Sequence, residues 1–308
     1  MTPMGRSLPT DGSVALLCLA LALAGGAGSS AQSERPKIGL ALSGGGAKGG
    51  AHVGVLKVLE ELQIPIDYIA GTSMGAIIGG LYASGIPADE LETILLETDW
   101  EDVLNDEPNR SELHFRRKED DARYLLDLEL GISRQGLKWP TGLISGQKLY
   151  FMLQSLTLPV AGVSDFDRLP IPFRCVATDI QNGEMVVLSN GNLASALRAS
   201  MAIPTIFSPV RFDGRLLVDG GVTRNLPVDV VREMGADVVI AVDLGAELTT
   251  RDVDSLVRIY QQLGRIQIRT NVEPQLEKAD VVLKPAVTVF GTMQFEETPE
   301  IIRLGHEE

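Results

Sequence analysis

The chain has 308 residues, 44% hydrophobic and 22% charged, which excludes a disordered or fibrous protein and leaves room for one large domain or two small ones. A formal net charge of −14 provides no basic stripe to neutralise phosphates. Nucleic acid is therefore excluded as a partner, and anionic lipid cannot be bound through overall charge alone.

Residues 1–31 read as an export signal, with Arg6 in a short leader, an apolar core from Val14 to Ala24, and small residues ending Ser29-Ser30-Ala31. Cleavage is expected after Ala31, because the apolar core is shorter than the roughly 20 residues of a membrane-spanning helix. Leu16 and Leu17 ahead of Cys18 lack the small residue that precedes a lipid-modified cysteine. The expected location is periplasmic, outer-membrane-associated or secreted. The mature chain keeps Cys175 alone and can form no internal disulfide.

After Pro36, the apolar run Ile38 to Leu42 leads into Gly44-Gly45-Gly46, and Val55, Val58, Leu59 and Leu62 then recur at helical spacing: strand, glycine loop, helix. Ile66 to Ala70 is a second strand, ending in Gly71-Thr72-Ser73-Met74-Gly75 with a helix from Met74. Between Pro87 and Pro172 the pattern turns irregular, with an acidic helix-like stretch at Ala88 to Trp100 and a charge cluster from Phe115 to Asp121 expected to be a solvated surface. The apolar segment Leu149 to Leu158 is expected to join the core, with an acyl-chain pocket as its alternative. Phe173 to Ile180 and Glu184 to Leu188 flank Asn182-Gly183 as a hairpin. A helix over Leu193 to Met201, a strand at Arg215 to Val218 entering Asp219-Gly220-Gly221, a helix at Val228 to Met234 and a strand at Val238 to Asp243 complete the order. Such alternation implies an α/β fold with a mostly parallel central sheet and helices on both faces. One domain is expected, with its core at 37–244 and residues 245–308 as a further part of it.

Ser73 lies in a GxSxG setting between strand and helix, where a strained turn exposes a hydroxyl and glycines remove Cβ clashes. The glycine loop, with the Met74 N–H, can offer backbone donors to a developing oxyanion or to a phosphate. The phosphate alternative has support in Gly44-x-Gly46-x-x-Gly49 and in Asp67, 23 positions after Gly44, but Asp67 comes early in the second strand instead of ending it. A serine nucleophile needs a base. His52, His114 and His306 fit that role badly, so a carboxylate is the better candidate. Asp219 follows a short strand and precedes two glycines; Asp179 and Asp243 are also strand-end acids that spacing allows.

Ser43-Gly44-Gly45-Gly46-Ala47-Lys48-Gly49, Gly71-Thr72-Ser73-Met74-Gly75 and Asp219-Gly220-Gly221, in that order, resemble the three signatures of patatin-like phospholipases. Cys175 to Asp179 and Ala199 to Pro204 also look family-like, whereas Lys48 stands where many relatives carry arginine. The resemblance implies a three-layer sandwich and a Ser73–Asp219 dyad. It also implies an oxyanion hole from the Gly44, Gly45 and Gly46 amides, joined by Met74, and hydrolysis of phospholipid or lysophospholipid without metal or cofactor. Gly49, Gly71, Gly75, Gly220 and Gly221 complete the motifs. Substrate would be met at a membrane surface visited transiently. The export signal followed by this domain resembles the passenger half of bacterial autotransporter-type patatins. The alternatives are a nucleotide-binding oxidoreductase that uses the same glycine loop, and a non-catalytic acyl-binding module.

Overall fold

Strand β1 (Ile38–Leu42) is buried on both faces, the environment that a continuous apolar run with helices above and below demands. In a computed structural model, residues 35–106, 131–133, 136–138, 144–245 and 256–308 are described. The predicted export signal, His114 and the Phe115 to Asp121 cluster lie outside the described residues. After β1 the glycine loop forms a 3-10 turn (Gly46–Gly49) and helix α1 (Gly50–Glu61). Strand β2 (Tyr68–Thr72) pairs parallel with β1, Leu40 opposite Ile69, and Ser73 starts helix α2 (Met74–Ala83).

Helices α3 (Ala88–Glu97) and α4 (Trp100–Val103) follow, the latter capped by the Asp99 carboxylate accepting Asp102 N–H at 3.0 Å. A separate ribbon pairs β3 (Gly131–Ser133) with β4 (Gly136–Lys138). The apolar segment expected near Leu149 is helix α5 (Gln147–Leu156), which sinks Leu149 and Leu153 into the core while Phe151 remains exposed. Strands β5 (Phe173–Asp179) and β6 (Met185–Leu188) form the predicted hairpin, and α6 (Leu193–Ser200) the predicted helix. Strand β7 (Val210–Phe212) carries no mark in the sequence, being three residues long and half-exposed, without a buried apolar alternation. It pairs with β8 (Arg215–Asp219), after which come α7 (Val228–Glu233), β9 (Val238–Val242), α8 (Leu256–Leu276), β10 (Val281–Leu283) and α9 (Thr298–Glu307).

The main sheet runs β10-β9-β1-β2-β5-β8-β7, with β6 on β5. From β10 to β5 every pairing is parallel, and β6, β8 and β7 add antiparallel ones. Leu40, Leu42, Ile69 and Val242 pack on one face with α1 and α2, while Ala41, Ala70, Val176 and Ala241 meet Val228, Val231 and Val272 of α7 and α8 on the other. The result is a three-layer α/β sandwich. Helix α9 closes against α1 so tightly that a Cβ on Gly54 would lie 2.1 Å from Ile302 O.

One pairing detail positions the site. Strand β5 is shared end to end: it leaves β2 at Thr72 opposite Val176 and takes up β8 at Ala177 opposite Asp219. The residue following β2 and the last residue of β8 are thereby brought to adjacent positions along one strand.

Candidate active site

Ser73 has φ 55° and ψ −124°, a conformation an L-residue adopts only when its surroundings impose it. The constraint is steric on both sides. A Cβ on Gly71 would come within 2.4 Å of Gly75 O, and one on Gly75 within 2.5 Å of both Leu42 O and Ser43 O. Ser73 O accepts Ala76 and Ile77 N–H in the first turn of α2. Its own N–H donates to Ser200 Oγ at 2.9 Å, and that hydroxyl donates to Val176 O at 2.6 Å. Ser200 is fully buried, so this relay has no competition from solvent.

Asp219 is fastened through its backbone, with N–H donating to Ala202 O at 2.9 Å and the carbonyl accepting Thr178 Oγ1 at 3.1 Å. Its Oδ1 accepts Gly221 N–H at 2.7 Å. Oδ2 is buried without a partner of full hydrogen-bond geometry. Burial pushes the carboxyl up to about 6, opposed by the nearby Ser73 side chain and by Gly221 N–H. Acid and hydroxyl are thus close but not locked together, as is common before a substrate aligns them.

The glycine loop lies against the same serine: a Cβ on Gly44 would sit 3.0 Å from Ser73 Cβ. Several bonds hold the loop. Ser43 N–H reaches Val242 O at 3.1 Å, Leu244 N–H reaches Ser43 Oγ at 3.0 Å, Asn225 Nδ2 donates to Gly44 O at 3.3 Å, and Lys48 Nζ donates to Gly245 O at 2.8 Å. Gly46 is left-handed, φ 59°, with Thr292 O only 2.1 Å from where its Cβ would be. Of the four amides expected to receive an oxyanion, that of Gly44 is engaged by Asn225 O at 3.2 Å and acts as an anchor. Those of Gly45, Gly46 and Met74 have no acceptor among the described residues.

The competing residues are placed elsewhere. His52 Nε2–H donates to Ser43 O at 2.8 Å, and burial holds the imidazole down to about 4, so it braces the loop as a neutral ring. His306 meets Glu61 on the outer helices. Asp179 and Asp243 turn their carboxylates back onto Gln181 and Gly245 N–H, closing turns. Asp67, the ribose-binding acid of the nucleotide alternative, accepts Ile38 N–H at 2.8 Å, at the start of β1 and about 16 Å of strand away from the glycine loop. That distance removes it from any ligand on the loop.

Ser200, Asn225 and Asn271 were not singled out by the sequence. Asn271 on α8 accepts Asn225 N–H at 2.9 Å and donates to Gly221 O at 2.9 Å, joining the acid's turn to the loop. Only the Ala199 to Pro204 resemblance hinted at Ser200, and nothing local marks the two asparagines. A cavity of about 660 Å³ between α3–α4 and residues 293–299 is lined by Leu95, Trp100, Leu104, Met293 and Phe295 among others, but by neither Ser73 nor Asp219. Among the described residues no group of three or more His, Cys, Asp or Glu is arranged to hold a metal ion, and no helix is long and apolar enough to cross a membrane.

The geometry places the protein in a broad class first: an α/β sandwich that sets a serine elbow beside a buried carboxylate, with no described histidine bonded to either. The chain belongs to the patatin-like phospholipase family, whose model matches residues 40–232. It is 34% identical over 296 residues to a patatin-like phospholipase domain-containing protein of Caenorhabditis elegans, covering 87% of this chain and 20% of that protein. It is also 35% identical over 212 residues to an NTE family protein of Mycobacterium tuberculosis (69% and 50% covered), and 30% identical over 295 residues to the lysophospholipase nte1 of Emericella nidulans (87% and 18%). The chain thus spans half or less of the length of these relatives.

Proposed function

We propose that the protein is an exported serine lipid acyl hydrolase of phospholipase A or lysophospholipase type. One observation carries the reading: a buried Asp219, its Oδ2 partner-free, beside the strained Ser73, with burial raising the pKa of its carboxyl and the Ser73 side chain opposing that rise. Ser73 Oγ attacks the ester carbonyl carbon while its proton passes to Asp219. The oxyanion is received by the amides of Gly45, Gly46 and Met74, each such donor being worth roughly 3 to 4 kcal/mol. Collapse expels the alcohol, which takes the proton back from Asp219, and leaves an acyl-serine. Water then attacks the acyl carbon, giving a proton to Asp219, and Ser73 leaves with that proton as the fatty acid departs. No step requires a metal or a cofactor.

The fungal relative is a lysophospholipase by name, which supports a monoacyl or diacyl phospholipid as substrate. Export rests on Arg6, the Val14 to Ala24 core and Ser29-Ser30-Ala31. Contact with the membrane is transient. Labelling of the protein by a fluorophosphonate, lost in Ser73→Ala, is the decisive experiment; a folded wild type that takes no label sinks the hydrolase. N-terminal sequencing of the protein recovered outside the cytoplasm checks cleavage after Ala31.

A further inference from the structure

Helix α8 has two faces with different surroundings. Asn271, Val272 and Gln275 turn inward and are buried. On the opposite face Ile259, Leu263 and Ile266 recur at intervals of four and three residues, one stripe of a helix, and are 44%, 58% and 44% exposed. An apolar stripe turned outward on an amphipathic helix is a surface awaiting a partner.

The charge on the helix indicates which partner. Over its length, Leu256–Leu276, it carries Arg258, Arg265 and Arg269 against one acidic residue, Glu273, a local excess of positive charge in a chain whose net charge is −14. Seven and four residues apart, the arginines follow one edge of the stripe. Arg269 is already paired with the exposed Glu273 one turn further on, at 2.8 Å, so Arg265 offers the fuller charge to a phosphate. An apolar band edged by guanidinium groups matches a bilayer whose hydrocarbon takes the band and whose phosphates take the arginines. The same helix holds the Asp219 turn, the buried Asn271 Nδ2 donating to Gly221 O at 2.9 Å and, from the exposed flank, Gln267 Nε2 to Val222 O at 3.1 Å.

We infer that the outward face of α8 is the surface on which the protein rests against an anionic lipid bilayer, an inference that builds on the lipid-hydrolase reading. The bilayer then lies about one helix diameter, roughly 10 to 12 Å, from the turn that carries Asp219. Net charge opposes this contact, so the local arginines and the apolar stripe must act together.

The test uses the full chain carrying Ser73→Ala, so that vesicles survive, with and without Ile259→Gln, Leu263→Gln and Ile266→Gln, glutamine being a good helix former. Flotation with vesicles of equal phosphatidylglycerol and phosphatidylcholine is expected to show about tenfold weaker partition in the triple variant. Arg265→Gln with Arg269→Gln, which leaves the apolar stripe intact, is expected to weaken binding to these vesicles at low salt and not to pure phosphatidylcholine. Equal partition of parent and triple variant overturns the proposal. So does a parent that light scattering finds dimeric and the triple variant monomeric, because a second copy then covers the face. With Ser73 restored, turnover of a soluble short-chain ester is expected to stay within about twofold in the triple variant. A wild type without soluble turnover overturns the hydrolase reading, and the flotation result is then judged by itself.

Discussion

The two halves of the site are fastened in different ways. Ser73 is held mostly by its own elbow, where Ala76 and Ile77 tie its carbonyl into α2 and Gly71 and Gly75 allow close backbone approach, Gly75 to the end of β1, with one remote bond from its N–H to Ser200. Asp219 is held from a distance, by Ala202, Thr178 and, through its turn, Asn225 and Asn271. The parallel part of the sheet therefore delivers the proposed nucleophile already strained, whereas the antiparallel part delivers the proposed base, whose placement depends on several remote bonds. Local steric constraint resists substitution at remote sites; a long-range hydrogen-bond network does not.

The largest effects should come from the reacting groups, where the two halves fail alike. Ser73→Ala and Asp219→Asn are each expected to lower ester turnover by about 10⁴-fold or more while the fold survives, as thermal unfolding and circular dichroism would establish. Asp219→Asn retaining full turnover would remove the acid from the mechanism.

Next in size is Gly75→Ala, which tests the local half. Its new Cβ would meet two backbone oxygens at 2.5 Å that no rotamer can relieve, and a destabilisation of about 3 kcal/mol or more is expected in denaturant titration. A neutral result would mean that the elbow is less confined than its glycines imply.

Asp219→Asn also carries a stability signature of opposite sign to its effect on turnover. The acid titrates at about 6 in the folded chain against an ordinary value of 3.8, so between those values the native state binds the extra proton and stability falls as pH rises. Removing the charge should stabilise the protein by about 3 kcal/mol at pH 8 and by little at pH 4. His52 slopes the other way. Its imidazole titrates at about 4 when folded and 6.5 when free, so the unfolded chain takes the proton and stability rises with pH across that window. Near pH 5 the two slopes offset one another, and the wild-type profile should be flatter there than that of Asp219→Asn. The rate follows the same acid: kcat/KM for a soluble ester should rise about tenfold per pH unit below about 6 and level off above it.

The smallest effects separate the two means of support. Ser200→Ala and Asn271→Ala each orphan buried partners and are expected to lose about 1–3 kcal/mol of stability. Ser200→Ala should lower kcat with KM nearly unchanged, because the strained Ser73 amide loses its acceptor. Asn271→Ala should spare fluorophosphonate labelling less than Ser200→Ala does, since it loosens the base and the loop together. The reverse order would show that the nucleophile, not the acid, is the half held from afar.

Much of the architecture was legible because burial on both faces leaves continuous apolar strands, and glycines mark where backbone must approach backbone. The strand β1, the elbow at Ser73 and the Asp219-Gly220-Gly221 turn all follow from such local signs. Strand β7 and the region from α8 onward did not, since half-exposed strands and helices with an apolar outward face break the usual pattern. Gly44 was expected as a donor from its place in the loop, but its N–H is taken by Asn225, a residue 181 positions away.

By itself the sequence marked which residues are candidates for reaction and which turns must be glycine, because hydroxyl, carboxylate and missing Cβ are properties of single positions. Only the tertiary structure decided that Asp219, and not Asp179 or Asp243, faces Ser73. Strand β5 brings the ends of β2 and β8 together, and burial there raises the pKa of the Asp219 carboxyl, which suits it to the proposed role of base, while Asp179 and Asp243 close turns.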